Sequence, residues 1–258
     1  MFIDTHCHLD AAEFDEDRDD VIIRAQQAGV TALVIPAIER ANFGAVASVC
    51  RSYEGCHPAY GIHPLYAGRA HEADLAALHD TLHDNRPGKK PAVAIGETGL
   101  DFFVEPYDRA LQEYYFVEQL KLAQEFDLPV LLHVRRAIDP ILKHLRDHPV
   151  RGGIAHAFNG SRQQADEFIK RGFKLGFGGA MTHPRARRLR ELAATLPPEA
   201  IVLETDAPDI PPAWITRGRN TPEQLPAIAA VLAGLRQSSI EEIAAVTTAN
   251  ARQVLNLH

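Results

Sequence analysis

The sequence predicts an α/β fold, a single (β/α)8 barrel spanning residues 1–258, with a metal site at the C-terminal strand ends. Three observations predict it. Short apolar runs alternate with longer amphipathic stretches from one end of the chain to the other, and there are eight of them. The runs are continuously apolar rather than alternating, as strands covered by helices on both faces are. The rival, an open doubly wound sheet, wants a glycine-rich dinucleotide turn after its first strand. That turn here is His6-Cys7-His8-Leu9-Asp10.

The expected strands, in order, are Phe2–Thr5, Ala32–Ile35, His57–Tyr60, Ala92–Ile95, Val130–Leu132, Gly153–Ala155, Phe173–Phe177 and Ile201–Leu203. Asp15–Ala28 and Ser161–Arg171 open on capping residues and read as helices. Tyr107–Phe126 places Leu111, Tyr115, Phe116, Leu120 and Ala123 at helical spacing. Gln224–His258 is helical and is expected to pack on the barrel as a C-terminal extension. No repeat, low-complexity tract or composition shift marks a linker, and Pro197-Pro198 and Pro208–Pro212 read as loop punctuation.

At 258 residues, 46% hydrophobic and 24% charged, the chain can bury roughly three-quarters of its unfolded surface without staples. Its 27 basic and 34 acidic side chains leave a net charge of −7. That excludes a protein holding nucleic acid by overall positive charge, so contact with phosphates has to be local. Cys7, Cys50 and Cys56 are odd in number and form no C-x-x-C pair, against both a disulfide framework and a cysteine zinc knuckle. Met-Phe-Ile-Asp-Thr-His is no secretory signal, and no run of about 18 apolar residues could span a membrane. A cytoplasmic location is expected, with no membrane and no obligate protein partner.

What stands at the strand ends carries the chemistry. The first runs into Asp4-Thr5-His6-Cys7-His8, the third into Gly61-Ile62-His63-Pro64 and the fourth into Gly96-Glu97-Thr98-Gly99-Leu100-Asp101. The fifth reaches His133-Val134-Arg135, the sixth His156-Ala157-Phe158-Asn159-Gly160, the eighth Glu204-Thr205-Asp206-Ala207-Pro208. In a parallel barrel these ends open onto one mouth, so groups some 200 residues apart converge. One strand histidine is usually a satisfied interior residue. A whole set of imidazoles and carboxylates is not, because buried carboxylates without a cation cost several kcal/mol.

His6 and His8, two apart, face the same side and can grip one ion. Four imidazoles and two carboxylates exceed the needs of one tetrahedral zinc and fit two divalent ions about 3.5–4 Å apart. We assign His6, His8 and Asp206 to one ion, His133 and His156 to the other, and Glu97 to the bridge. Zn, Mg or Mn all suit this donor set. Asp206 is the expected catalytic residue, orienting a nucleophilic water and taking its proton.

Around the ligands, His63 and Arg135 are expected to reach substrate phosphate. Asp101 has either a substrate-side role or the task of fixing a ligand imidazole's tautomer, and Asn159 and Arg219 are expected along the groove. Cys7 points away from the histidines, into barrel packing. His79 and His83 lack the glutamate of a zinc-protease motif and read as a helix face. Arg185, Arg187, Arg188 and Arg190 read as a solvated face, Gly176–Gly179 as room for substrate, and Trp214 as loop packing or a base stack.

D-x-H-x-H at residues 4–8, GETGLDF at 96–102, His133-x-Arg135, HAFNG at 156–160 and ETDAP at 204–208 together resemble the TatD family of metal-dependent hydrolases, the deoxyribonuclease-like branch of the amidohydrolase superfamily. The likeness covers about residues 2–255, with the motifs in the family's order. It implies a TIM barrel, two metal ions on the ligands above, and hydrolysis of DNA (single-stranded or from the 3′ end), leaning towards Mg. Where members commonly carry serine and glutamate, this chain has Ala207 and Thr221. Two other readings stay open: a metal-dependent amidohydrolase or lactonase acting on a small molecule, since the same cluster can activate water against a carbonyl, and a non-catalytic metal-binding protein. Arg135 and Arg219 favour an anionic substrate.

Overall fold

The computed structural model describes residues 1–84 and 88–257. Parallel strands β1 (Phe2–Asp4), β2 (Val30–Pro36), β3 (Cys56–Tyr60), β4 (Ala94–Asp101), β5 (Val130–Arg135), β6 (Gly153–Ala155), β7 (Phe173–Phe177) and β8 (Ile201–Leu203) pair in chain order. Between and after them lie α1 (Arg18–Gln27), α2 (Phe43–Ser52), α3 (Glu72–His83), α4 (Arg109–Glu125), α5 (Ile138–Asp147), α6 (Arg162–Lys170), α7 (Arg187–Thr195), α8 (Leu225–Arg236) and α9 (Ile240–Leu255). This is the (β/α)8 barrel that the alternation predicts. At the seam between β8 and β1, Thr5 N and Oγ1 both donate to Leu203 O, at 3.1 and 3.0 Å. Beyond the sheet, Asp206 N donates to His6 O and His8 N to Ala207 O, each at 2.8 Å.

The strands bury both faces, which is why they read as unbroken apolar runs. One set of side chains (Ile3, Val34, Ala59, Ala94, Leu131, Ile154, Val202) fills the inside of the barrel. The alternate set, including Leu33, Ile35, Tyr60, Ile95, Val130, Leu132 and Leu175, packs against the helices in the larger cluster. Ala251, Val254 and Leu255 of α9 join the inner set. Asn250 Nδ2 of α9 donates to Ile201 O, and Thr248 Oγ1 to Met1 O. The last helix thus seals the N-terminal end of the barrel, and the opposite mouth is left open.

Two departures have local causes. β4 runs to Asp101 rather than stopping at Ile95, because its glycines are points of close approach between strands: Gly99 pairs with His133, and a Cβ on it would lie 2.1 Å from His133 O. Glu97 and Asp101 are therefore strand residues with fixed directions. The C-terminal helical stretch is two helices. Gln237 turns left-handed (φ 54°), and Ser239 then caps α9 by accepting from Glu242 N. His258 lies outside the described residues. Among the described residues no helix is long and apolar enough to cross a membrane.

Candidate metal centre

The barrel topology carries the expected strand-end ligands to one place, and Glu97 is its centre. Five imidazoles surround that one carboxylate, divided between its two oxygens. Oε2 lies 3.1 Å from His6 Nε2 and 3.4 Å from His8 Nε2. Asp206 Oδ1 closes that side, 3.6 and 3.7 Å from the same nitrogens. Oε1 lies 2.9 Å from both His133 Nδ1 and His156 Nε2, and 3.3 Å from His63 Nε2. His6 and His156 stack at 4.0 Å between ring centroids and join the two halves.

Backbone features aim these groups. His6 and His8 lie just past β1, where Asp4 stitches the seam: its carboxylate accepts from His6 N, Thr205 N and Thr205 Oγ1. Asp206 adopts φ 55°, the left-handed conformation that Asp tolerates better than most residues. Its loop is pinned from behind by the buried Asn220, whose Nδ2 donates to Thr205 O (2.7 Å) and Asp209 O (3.0 Å). Asn220→Ala leaves these carbonyls unanswered, and a loss of about 1–3 kcal/mol is expected. Thermal melting is expected to show a Tm lower by several degrees; an unchanged Tm would mean that the loop holds itself.

The donor set fits divalent cations. Asp101 Oδ2 lies 3.0 Å from His133 Nε2, which puts the ring proton there and leaves the Nδ1 lone pair facing the Glu97 carboxylate and His156 Nε2. The Nε2 atoms of His6 and His8 face each other at 3.2 Å, with Glu97 and Asp206 beside them. Lone pairs converging on carboxylates need a positive charge between them. Without a metal, protons supply it. Burial pulls both rings down, but the Glu97 carboxylate outweighs it, raising His8 to about 9 and His156 to about 10. His6, whose burial and His156 neighbour dominate, falls to about 3. Glu97 itself is held well below the usual range despite burial, by the histidines around it. A bound cation replaces those protons.

His63 differs from the ligands. Its Nδ1 accepts from Leu65 N at 3.1 Å, so its proton sits on Nε2 and is donated to Glu97. In that tautomer it steadies the carboxylate and offers no lone pair to an ion. Asp101 is wholly buried, taken up by His133 and the amides of Phe103 and Val104. Those hydrogen bonds draw its carboxyl down to about 2 against the burial that works to raise it. Arg135 and Asn159 line the open groove above the ligands, a space of about 1370 Å³, and Asn159 accepts from Arg188 Nη2 at 3.2 Å. Arg219 does not line it. That side chain stacks on Phe14 at 4.5 Å and donates to Glu13 O and Asp17, tying the loop before α8 to the segment that leads into α1.

Glu204, one residue past β8, stands beside the expected ligands without being one of them. Its buried carboxyl accepts from Ala157 N at 2.5 Å and sits 3.8 Å from His156 Nδ1, and burial raises it to about 8. Gly176 lines the groove as expected, and it also makes room for Glu204: a Cβ on it would lie 2.1 Å from Glu204 Oε2. The ETD run was the available signal for Glu204. Cys7 is buried, and Trp214 Nε1 donates to Gln224 Oε1.

Comparison with known proteins follows the same lines. The family model described as TatD related DNase matches residues 3–256. The chain is 41% identical over 257 residues to the uncharacterized metal-dependent hydrolase YjjV of Escherichia coli K12, covering 99% of this chain and 98% of that one. It is 35% identical over 264 residues to the 3′-5′ ssDNA/RNA exonuclease TatD of Cronobacter sakazakii, covering 97% and 96%. The crystal structure of YjjV from Escherichia coli K12 matches with a TM-score of 0.95 at 40% identity, over 100% of this chain and 98% of that one.

Proposed function

The chain belongs to the TatD-related DNase family, and from that premise we propose that it is a divalent-metal-dependent nuclease hydrolysing phosphodiester bonds of single-stranded DNA, working inward from a 3′ end. The observation that carries the reading is the division of ligands about Glu97, one group on each carboxylate oxygen. It supports two ions, of which His6, His8 and Asp206 would hold one and His133 and His156 the other, with Glu97 shared between them. Such a pair, as Zn, Mg or Mn, supplies a water of lowered pKa and neutralises charge on the phosphate oxygens.

The chain's own groups do the rest. Asp206, whose Oδ1 stands beside the His6 and His8 nitrogens, is the carboxylate within reach of a water held there and the group to take its proton. Asp101 fixes the His133 tautomer. Arg135 and Asn159 face the substrate from the groove wall, and His63 reaches it only by exchanging its hydrogen bond to Glu97. The groove exceeds the roughly 300–1,000 Å³ of a small-molecule pocket, which favours a polymer. The buried free cysteines fit a reducing cytoplasm.

Chelation by EDTA is expected to abolish hydrolysis of a labelled single-stranded oligonucleotide, and added Mg or Mn to restore it. Metal-replete protein that cleaves no phosphodiester yet opens lactones or amides would defeat the nuclease reading.

A further inference from the structure

The rim of the groove holds an arrangement that the metal ligands do not use. Phe103 follows β4 with 43% of its surface exposed, and the guanidinium carbons of Arg135 and Arg136 lie 4.0 and 4.5 Å from its ring centroid. Neighbouring strand residues point to opposite faces. Here β5 ends at Arg135 and the backbone turns left-handed at Arg136 (φ 54°), so both guanidiniums reach one ring. Non-glycine residues seldom adopt that conformation, and ligand clamps are among the places where it persists.

Among the described residues neither guanidinium pairs with a carboxylate, whereas Arg18, Arg69 and Arg219 each do. Phe103, Arg135 and Arg136 line the same groove as His8, Glu97, His133, His156 and Asp206. One carboxylate sets the spacing between the two sites. Asp101 Oδ1 accepts from Phe103 N (2.8 Å) and Val104 N (3.0 Å), while Oδ2 meets His133 Nε2. Phe102 N donates to Arg135 O at 2.9 Å.

We infer that Phe103 holds the Arg135 and Arg136 guanidiniums as a clamp for a backbone phosphate of single-stranded DNA, adjacent to the phosphate that reaches the metal ligands. The inference rests on the nuclease reading and adds to it the second point at which the strand is gripped. Guanidinium planes stack on aromatic faces without losing charge, and their N–H edges stay free for phosphate oxygens. Ordering two long stems in advance lowers the entropy lost on binding. In a chain of net charge −7, a local pair of unpaired cations is where a polyanion makes contact.

The test is steady-state hydrolysis of a short oligothymidylate by the metal-loaded chain across a salt series. Replacing both arginines (R135Q with R136Q) is expected to raise KM at least about tenfold, as loss of a charge-assisted hydrogen bond does. The log–log dependence on salt is expected to flatten by roughly 0.7, the share of one phosphate on a single strand. Phe103→Ala is expected to raise KM about threefold, the worth of an exposed cation–π contact, with kcat changing less than KM, and Phe103→Tyr to restore it. Phe103 is exposed, so these variants probe binding rather than folding. If the oligonucleotide is still cleaved with KM and salt slope unmoved, or if Phe103→Ala lowers kcat alone, the clamp is wrong and the nuclease reading stands. Wild-type protein that cleaves no oligonucleotide overturns both.

Discussion

Glu97→Gln is expected to lower kcat/KM by at least about a thousandfold, on the order of 4 kcal/mol of barrier, and to leave no more than one ion per chain after gel filtration. The reason is the crowding about one side chain. Five imidazole nitrogens lie within 3.4 Å of its two oxygens. A glutamine keeps the shape but removes the negative charge that draws both halves together, and turns an N–H₂ donor towards one of them. Cations held there would lose their shared anionic ligand, leaving Asp206 as the one carboxylate on the His6 and His8 side and only imidazoles on the other. Elemental analysis of the purified variant beside wild type checks this directly. Two ions retained by the glutamine variant would remove Glu97 from the bridging position, whatever happened to the rate.

Asp206→Asn has a different expected signature: at least one ion retained and most of the turnover lost. His6, His8 and Glu97 still converge without it, since the His6 and His8 Nε2 atoms lie 3.1 and 3.4 Å from Glu97 Oε2, closer than either lies to Asp206. What the amide cannot do is accept a proton. Activity within tenfold of wild type, only about 1.4 kcal/mol of barrier, would remove Asp206 as the acceptor and leave it a ligand alone. The substitution is nearly isosteric, and the left-handed backbone at this position suits Asn as well as Asp. A lost rate therefore reports chemistry rather than a displaced loop. Measuring metal content and kcat on the same preparation separates the two roles.

The two groups of positions differ in how they could be known. His6, His8, Glu97, His133, His156 and Asp206 follow apolar runs or lie in them, and a parallel barrel brings all such ends to one mouth. Their convergence follows from topology and needs no knowledge of rotamers. His63 and Asp101 also stand at strand ends, yet their work depends on which neighbours they meet. The Leu65 amide sets the His63 tautomer, and His133 with two loop amides takes all of Asp101.

Sequence alone thus determined the eightfold alternation, the mouth as the place where imidazoles and carboxylates converge, and the identities of the side chains that gather there, because hydrophobic period and strand-end position are local properties that chain order propagates. Tertiary structure decided the rest: that Arg219 ties its loop to the segment before α1, that Gly176 leaves space for Glu204, and that Arg135 and Arg136 share the face of Phe103. Each of these depends on contacts of a few ångströms between segments whose separation along the chain says nothing about their packing, and on backbone turns such as that at Arg136 that residue type does not announce.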